Sequence, residues 1–327
     1  MQTQWLSLIV LGLLIVVLVS ACAAPKVIPL TITPTMVAST ATPIPSPTDP
    51  PATATPAPLP RFTPTQEPPG SKNDVLYVPG GEKYAQVLDV YLPAPPGKPL
   101  PTLLMIHGGG ESKTAMRSPA TYFVERGYAV VAIDFRANAR GAYPSSVQDA
   151  FCALAWIHTS APTYGFDPQR VVAVGYSLGG TFAALLGTVS DPTVYMQGCP
   201  HTLPKTKRLA GVATITLISD YSALAKTSSA LRNYANAYIG AEEAQAPQLW
   251  KEASPIFRIG ADAPPFLVMH GSADKNISPD ESKNFAAALE QAQVKVRLVL
   301  VPEADHASIV FSPQTPKTIE SFLKELW

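Results

Sequence analysis

Short, nearly continuous apolar segments recur through the chain from Thr102 onward. They are rich in β-branched residues and read TLLMIH, YAVVAIDF, RVVAVGY, AGVATITLI, PFLVMH and VKVRLVLV in chain order. Segments of this length and composition are typical of strands buried on both faces of a parallel sheet. A further segment before them, AQVLDVYLP at 85–93, alternates apolar and polar residues and predicts a half-buried strand.

Helical patterns occupy the intervals between these segments. The predicted helices span 119–126, 145–158, 178–188, 279–292 and 313–326, and several begin with Pro or Ser, which suit a first helical turn. Alternating strands and helices imply right-handed crossovers, and therefore an α/β fold with a mostly parallel sheet covered by helices on both faces. Ligands of such sheets bind beyond the carboxyl ends of the strands, so we look for functional residues there.

Proline is unevenly distributed and divides the chain into two parts. The sequence has 327 residues and 35 prolines, which are dense before residue 70 in segments such as PTDPPATATPAPLP. Residues 23–70 are mostly Pro, Thr, Ala and Ser, so we expect a disordered, extended tether there. The alternative is a Pro-rich ligand for a partner domain. Residues 71–327, about 257 in number, are enough for one large α/β domain.

An apolar run near the N-terminus predicts an export signal. The run at 6–19 is shorter than the roughly 20 residues that a membrane-spanning helix needs. It leads into VSAC, residues 19–22, which resembles a bacterial lipobox, where small residues precede a cysteine that becomes lipidated. We therefore expect residues 1–22 to be a lipoprotein-type signal peptide, and Cys22 to anchor the protein to a membrane of the cell envelope, outside the cytoplasm. The alternative is a plain secretory signal with Cys22 incidental, which would release the protein.

Charge and cysteine content limit the environment and the partners. The formal net charge is zero, so nothing favours nucleic acid or an anionic partner. With Cys22 lipidated, Cys152 and Cys199 remain as an even pair in a compartment that permits a disulfide. We expect them to be bonded; the alternative is two small, buried, apolar residues.

A serine lies at the junction of a predicted strand and a predicted helix. The sequence Gly175-Tyr176-Ser177-Leu178-Gly179 follows the segment RVVAV and precedes an Ala- and Leu-rich helix. This is the context of a nucleophile elbow, a sharp turn that exposes the serine and brings strand and helix close at the flanking glycines. The helix N-terminus would also direct free N–H groups at charge developing beside Ser177. The sequence therefore predicts that Ser177 is a nucleophile.

A serine nucleophile needs a base, and the base needs a carboxylate that orients it. Of the five histidines, only His306 follows a strand-end acid that itself follows Ser177. Asp274 lies four residues after PFLVMH, at a carboxyl end of the predicted sheet, and is our candidate acid. Its rivals are Asp305, which merely adjoins His306, and Asp280 and Glu281, which look like first-turn helix residues.

Three consecutive glycines follow another strand. His107-Gly108-Gly109-Gly110 comes directly after TLLMI, and glycines let backbone N–H groups face a ligand without obstruction by a Cβ. The alternative is a flexible turn. Together with Ser177, Asp274 and His306, the segment predicts an oxyanion hole, with a further donor in the Leu178 amide.

Five motifs in order resemble the α/β-hydrolase family, closest to its hormone-sensitive-lipase-like and bacterial feruloyl-esterase-like carboxylesterases. They are LDVYLPAPPGKPLPTLLMIHGGG, FRANARGAYPSSVQDAFCALAWI, GFDPQRVVAVGYSLGG, SPIFRIGADAPPFLVMHGSADKNISP and VPEADH. The resemblance implies an eight-stranded, mostly parallel sheet and serine esterase chemistry on an ester substrate, with no cofactor or metal. It also implies an oxyanion hole formed by Gly109, Gly110 and Leu178.

The sequence departs from the family pattern beside these motifs. Glu111 replaces the aromatic residue usual after HGGG, and Tyr176 and Leu178 replace residues common around the serine in one branch. We expect Glu111, the insert 191–208 and the segment 221–250, with its Tyr221, Tyr234, Tyr238 and Trp250, to influence substrate preference. The alternative for each of these aromatic residues is ordinary packing.

Two alternative functions remain open at the level of sequence. A peptidase on the same fold would use the same triad, although such enzymes commonly carry a propeller domain that the tether cannot form. A surface lipoprotein with an inactive hydrolase fold would only bind a ligand or partner.

Overall fold

One central sheet organises the structure. The computed structural model describes residues 68–93, 98–205 and 208–327. The strands are β1 (Lys72–Leu76), β2 (Val87–Tyr91), β3 (Leu100–Ile106), β4 (Ala129–Ile133), β5 (Phe166–Tyr176), β6 (Gly211–Ile215), β7 (Phe266–Gly271) and β8 (Val296–Val301). They lie in the order β1-β2-β4-β3-β5-β6-β7-β8. The β1–β2 and β2–β4 pairs are antiparallel and the others are parallel, so the predicted eight-stranded, mostly parallel sheet is confirmed.

Helices connect the strands and cover both faces of the sheet. They are α1 (Arg117–Val124), α2 (Ser145–Tyr164), α3 (Leu178–Thr188), α4 (Tyr221–Thr227), α5 (Ser229–Ile239), α6 (Pro247–Ala253), α7 (Pro279–Gln291), α8 (Ser308–Phe311) and α9 (Gln314–Leu326). All five predicted helices are present. Helices α4 to α6 lie within residues 221–253, where the sequence predicts no helix.

The parallel strands are apolar on both sides because each side faces a separate core. In β3, Leu104 and Ile106 belong to one cluster of buried side chains, whereas Leu103 and Met105 belong to the other. Alternation of this kind follows from the two-residue period of a strand. Helices α2, α3 and α7 contribute to the first cluster, and α1 and α9 to the second.

A disulfide joins α2 to the segment that follows α3. Cys152 lies on α2 and is bonded to Cys199, as the pairing predicted from the sequence requires. In the same segment Tyr195 is buried and stacks on Phe151 with ring centroids 4.9 Å apart. Its hydroxyl lies 2.5 Å from that of Tyr143. These contacts fix the insert against α2.

The predicted signal peptide, with Cys22, and nearly all of the predicted tether lie outside the described residues. Where the described chain begins, Ser71 donates hydrogen bonds to the carbonyl of Pro68 from its amide and its hydroxyl, at 3.1 and 2.7 Å. Across the parts of the chain that the structure describes, no helix is both long and apolar enough to cross a membrane.

Candidate active site

Ser177 occupies a strained turn between β5 and α3. Its φ is 53° and its ψ is −120°, values that a residue other than glycine rarely adopts. The amide of Ser177 donates to the carbonyl of Ile215 on β6 at 2.8 Å, which holds the turn against the neighbouring strand. The strain is characteristic of a nucleophile elbow.

The glycines on either side of Ser177 are required by close backbone approach. A Cβ at Gly175 would lie 2.0 Å from the carbonyl oxygen of Gly179. A Cβ at Gly179 would lie 2.3 Å from the carbonyl oxygen of Ile106 and 2.4 Å from that of His107. The same contact that requires Gly179 therefore places the elbow beside the end of β3, where the triple glycine begins.

Three residues from separate loops meet at this edge of the sheet. Nε2 of His306, after β8, lies 3.1 Å from Oγ of Ser177, and its Nδ1 lies 2.8 Å from Oδ2 of Asp274, after β7. The other carboxylate oxygen of Asp274 accepts hydrogen bonds from the amides of Asn276 and Ile277, at 2.8 and 3.0 Å. The side chains that the sequence singled out therefore form one continuous hydrogen-bonded chain.

The environment of Asp274 keeps its carboxylate ionised. Burial alone would raise the pKa of this carboxyl, but hydrogen bonds from His270 and His306 outweigh burial and hold the pKa well below its usual range. An ionised carboxylate fixes the His306 tautomer that has its free nitrogen toward Ser177, and it stabilises the imidazolium that forms when His306 accepts a proton.

The rival acids have other partners. Asp305 accepts hydrogen bonds from the amides of Ala307 and Ser308, at 3.1 and 2.8 Å, and so closes the turn that leads into α8. Asp280 pairs with Lys283 within the first turn of α7. Glu281 is buried and accepts from the hydroxyl of Ser219 at 2.7 Å. Among the described carboxylates, the partner of His306 is Asp274.

The HGGG turn lies directly beside the elbow. A Cβ at Gly109 would be 3.7 Å from Cδ2 of Leu178, the first residue of α3. Within the described chain, the amides of Gly109 and Gly110 make no hydrogen bond, whereas the Gly108 amide donates to Oε2 of Glu111 at 3.0 Å. Two unpaired backbone donors and a helix N-terminus adjoin Ser177, an arrangement suited to binding an oxyanion.

Two of the three residues that depart from the family pattern, Glu111 and Tyr176, lie close to each other. Tyr176 packs against the Gly108 turn, where a Cβ at Gly108 would be 3.0 Å from the Tyr176 ring and 3.2 Å from Oε2 of Glu111. Burial and the Glu111 carboxylate raise the pKa of Tyr176, so its phenol stays protonated and donates to the carbonyl of His306 at 2.9 Å. Glu111 and Tyr176 thus link the HGGG turn to the loop that carries the histidine.

A cavity of about 850 Å³ opens above Ser177 and His306. Its wall includes Gly109, Gly110 and Leu178, and its aromatic lining residues are Tyr84, Phe135, Tyr234 and Tyr238. Tyr84 is 94% exposed. The cavity therefore combines the reactive residues with an aromatic rim.

The charged residues of the cavity wall are Glu111, Asp134 and Arg136. The Arg136 guanidinium is paired with Asp149, with Nε 2.9 Å from Oδ2, and it also donates to the carbonyl of Ser145. The positive charge is thus compensated within the protein.

The expected substrate-determining segments differ in their positions. Tyr234 and Tyr238 line the cavity, but Tyr221 and Trp250 are buried in the core, with 0% and 1% of their surfaces exposed. The described part of the insert 191–208 contributes no residue to the cavity wall, because the disulfide and the Tyr195 contacts hold it against α2. An influence of the described insert residues on substrate preference would therefore be indirect and stays a prediction.

Several residues of the site carried no recognisable signal in the sequence. His270 touches Asp274 although it lies in a buried strand, where it is the one polar residue of PFLVMH. Tyr84 reaches the cavity from the turn between β1 and β2, and only the packing of distant segments brings it there.

Comparison with known proteins assigns the family. Residues 88–289 match the BD-FAE family, a range that contains Ser177 and Asp274 and ends before His306. Esterase LipQ of Mycobacterium tuberculosis is 27% identical over 265 residues, which make up 77% of this chain and 61% of LipQ. Ethyl acetate hydrolase of Pseudomonas putida is 25% identical over 220 residues, 62% of this chain and 64% of that protein. The chain thus matches less than two thirds of these relatives' lengths.

Solved structures share the fold. A truncated carbohydrate esterase from gut microbiota superposes with a TM-score of 0.67 at 22% identity, covering 78% of this chain and 95% of that one. The propionate-bound esterase Est2 of Thermogutta terrifontis gives a TM-score of 0.63 at 25% identity, covering 79% and 95%. The match to the family extends over more than half of the sequence and includes the elbow and the acid. The chain therefore belongs to the BD-FAE family.

Proposed function

We propose that this protein is a carboxylic ester hydrolase whose nucleophile is Ser177. The observation that carries the proposal is the hydrogen-bonded chain from Asp274 through His306 to Ser177, which ends at a cavity beside the unpaired amides of Gly109 and Gly110. Membership of the BD-FAE family and the similarity to proteins named as esterases support it.

The first half of the reaction forms an acyl-enzyme. Oγ of Ser177 attacks the ester carbonyl carbon while Nε2 of His306 takes the hydroxyl proton, and Asp274 stabilises the resulting imidazolium. The carbonyl oxygen becomes an oxyanion that accepts hydrogen bonds from the amides of Gly109, Gly110 and Leu178. When the intermediate collapses, His306 returns the proton to the departing alcohol.

The second half releases the acid. Water enters the space left by the alcohol, His306 takes a proton from it, and the resulting nucleophile attacks the acyl carbon. The same amides stabilise the second oxyanion. Collapse then breaks the bond to Ser177, which recovers its proton from His306, and the carboxylic acid leaves. No group beyond these residues and water takes part in the proposed reaction.

Esters of short carboxylic acids are the proposed substrates. The Est2 structure named as propionate-bound supports a small acyl group, since it shares 25% identity and the same fold with this chain. The cavity of about 850 Å³ leaves room for a larger alcohol portion against the aromatic rim. A series of p-nitrophenyl esters should give the highest kcat/KM at two to four acyl carbons, falling by about tenfold or more at twelve.

The reaction itself is tested by replacing the nucleophile. Ser177→Ala should lower kcat for a p-nitrophenyl ester by several orders of magnitude, as loss of a triad member does elsewhere. A fluorophosphonate should label the unmodified protein and not the variant. Full hydrolysis by Ser177→Ala would refute the proposal, and a missing label would favour an inactive binding protein. Faster cleavage of an amide than of the matched ester would favour the peptidase.

We also propose that the protein is exported and held at a membrane of the cell envelope by lipid on Cys22. The lipobox-like VSAC sequence and the proline-rich tether after it support this location. The Cys152–Cys199 disulfide adds support, since disulfides persist in oxidising compartments outside the cytoplasm. Labelled palmitate should be incorporated into the unmodified protein, and Cys22→Ala should abolish the label and move the protein to the soluble fraction. A soluble, unlabelled native protein would favour the secretory alternative.

A further inference from the structure

A second histidine contacts the carboxylate of Asp274. His270 lies at the end of β7 with no exposed surface, and its Nε2 is 3.3 Å from Oδ2 of Asp274. That oxygen is the one that lies 2.8 Å from Nδ1 of His306. The proposed mechanism leaves this buried titratable side chain without a role.

The hydrogen-bond partners of His270 fix its tautomer. Nε2 lies 3.1 Å from the carbonyl of Ile277, which can only accept, so Nε2 carries the proton. Nδ1 lies 2.7 Å from the hydroxyl of Ser282 on α7, and that hydroxyl therefore donates to it. The Nε2–H group is therefore hydrogen-bonded to the carbonyl of Ile277, and a second acceptor, Oδ2 of Asp274, lies 3.3 Å from Nε2.

The three hydrogen bonds that the described residues make to the Asp274 carboxylate come from N–H groups, and the Nε2–H group of His270 is a further donor, with Nε2 3.3 Å from Oδ2. Oδ1 is held by the amides of Asn276 and Ile277, and Oδ2 lies between His306 and His270. The backbone amides anchor one oxygen only, so the second could rotate away from His306. The contact of the His270 N–H with Oδ2 opposes that rotation.

We propose that His270 is a positioning residue for the catalytic acid, because its N–H group holds Oδ2 of Asp274 in line with His306. The hydrogen bond from Ser282 fixes the tautomer of His270 that carries this N–H group. The inference rests on the proposed esterase function and adds two residues behind the triad. It makes a chain of five side chains: Ser282, His270, Asp274, His306 and Ser177.

The position of His270 also allows its contact with the Asp274 carboxylate to weaken when His306 is protonated during the reaction. When His306 becomes an imidazolium, its Nδ1–H draws more strongly on Oδ2. Because Nε2 of His270 also reaches the carbonyl of Ile277, its proton retains an acceptor at that moment. His270 therefore restrains the position of the Asp274 carboxylate and still leaves its charge available to the His306 imidazolium.

Few other charges face His270. Asp280 lies on α7, and Glu281 on the same helix is hydrogen-bonded to Ser219. The register partner of His270 on β8 is the apolar Leu300, and β6 places Ile215 against the preceding residue of β7. Asp274 is the one charged group in direct contact with His270 in the described structure.

The test compares three variants at the histidine and at its partner. His270→Phe removes the N–H donor, and we expect kcat for p-nitrophenyl acetate to fall about 10- to 100-fold with little change in KM, as for a small misplacement of a reacting group. Gln retains an N–H donor of similar reach, so His270→Gln should recover most of the loss. Ser282→Ala should give a smaller fall, about threefold, because the ring then loses the hydrogen bond that orients it.

The split between kcat and KM, together with rescue by glutamine, separates positioning from simple stability. With the His270 donor gone, Oδ2 of Asp274 can turn away from His306, which lowers kcat while the surface that binds the substrate, and with it KM, is unchanged. A merely structural role predicts that His270→Gln recovers Tm without recovering kcat. His158→Gln is the control, since His158 is a largely buried histidine on α2 whose Nε2 is hydrogen-bonded to the backbone carbonyl of Arg208.

The outcomes are distinct. If kcat is unchanged in His270→Phe, or if His270→Gln recovers Tm but not kcat, the proposal is overturned. If His270→Phe does not fold, Ser282→Ala decides by its kcat and KM: an unchanged kcat overturns the proposal. Ser177→Ala, assayed in parallel, reports separately on the proposed esterase function, because its full activity would remove that function whatever the His270 variants do.

Discussion

At the scale of single residues, Gly179 links the nucleophile to the oxyanion turn. The smallest side chain there would place a Cβ 2.3 Å from one carbonyl oxygen and 2.4 Å from another, both on the segment that ends β3. Backbone atoms cannot yield as a flexible side chain does, so Gly179→Ala must move the helix or the turn. We expect about 3 kcal/mol of lost stability, and a fall in kcat of about 10² or more because the amides no longer meet the oxyanion.

The neighbouring glycine supplies the matched control. A Cβ at Gly180 would lie 3.2 Å from the nearest atom, a contact that small adjustments can relieve. Gly180→Ala should therefore retain most of the activity, while thermal unfolding and p-nitrophenyl acetate hydrolysis both reveal the defect in Gly179→Ala. Equal effects in the two variants would contradict this account of the elbow.

Glu111 supports the HGGG turn and also lies in the cavity wall. The sequence predicts an influence of Glu111 on substrate preference, and the structure adds that its carboxylate accepts a hydrogen bond from the Gly108 amide at 3.0 Å. Glu111→Ala removes the acceptor and loosens the turn, so kcat should fall about tenfold. Glu111→Gln keeps an acceptor oxygen and should remain within about threefold of the unmodified enzyme. Steady-state kinetics measures both, and a loss in Glu111→Gln as large as in Glu111→Ala would indicate that the charge matters instead.

At the scale of elements, the disulfide supports an insert that does not reach the cavity. Cys152 and Cys199 are 47 residues apart in sequence, and closing a loop of that size stabilises a fold by about 4 kcal/mol on the chain-entropy model. Replacing both cysteines by serine should lower Tm by several degrees. At 25 °C kcat and KM for a small ester should change little, because the described insert residues contribute nothing to the cavity wall.

Dithiothreitol provides the matching control for that experiment. It should lower the Tm of the unmodified protein toward that of the double variant and leave the double variant unaffected. A large change in KM in the double variant would show instead that the insert acts on the substrate.

The sequence predicts best those elements whose burial follows from the spacing of their apolar residues. The apolar segments of β3 to β7 are buried on both faces. Strand β1 was missed because KNDVL lies at the sheet edge, with four of its five residues exposed, and so carries no apolar pattern. Helix α2 was predicted too short, ending at 158, since Thr159, Ser160 and Pro162 are poor helix formers. It continues to Tyr164 and ends at Gly165, which has a positive φ.

The triad could be predicted from sequence because each member follows a strand, and the carboxyl ends of parallel strands meet at one edge. The rest of the site could not, since it depends on contacts between segments far apart in sequence. Tyr84 and Tyr234 line one cavity although 150 residues separate them. Likewise, the sequence does not distinguish His270 from the other four histidines, because its contact with Ser282 forms only when α7 packs against the strand.

At the scale of the whole molecule, the edge strand β1 contributes a largely exposed carboxylate, that of Asp74, to the charge network around the buried Lys113. Nζ of Lys113 lies 2.6 Å from Asp89 and 2.8 Å from Asp74 on β1, and only 7% of the Lys113 side chain is exposed. The Lys113 amide donates to Asp134, a residue of the cavity wall. The network therefore connects the N-terminal edge of the sheet to the site.

Truncation tests how far the catalytic domain extends. A protein comprising residues 68–327 should match the full chain in kcat and Tm, since it keeps β1 and the Pro68 contacts. A protein beginning at residue 77 loses the β1–β2 pairing and the exposed one of the two carboxylate partners of Lys113, so we expect a lower free energy of unfolding. Chemical denaturation measures the difference, and equal stability of the two fragments would show that β1 is dispensable.

The spread of the triad along the chain has a consequence for biosynthesis. Ser177 follows the fifth strand, whereas Asp274 and His306 follow the seventh and eighth. A nascent chain that has already formed the elbow still lacks both its acid and its base. The hydrogen-bonded triad can be completed only after β8 has docked against β7, so a chain that is still being synthesised cannot carry out the proposed hydrolysis.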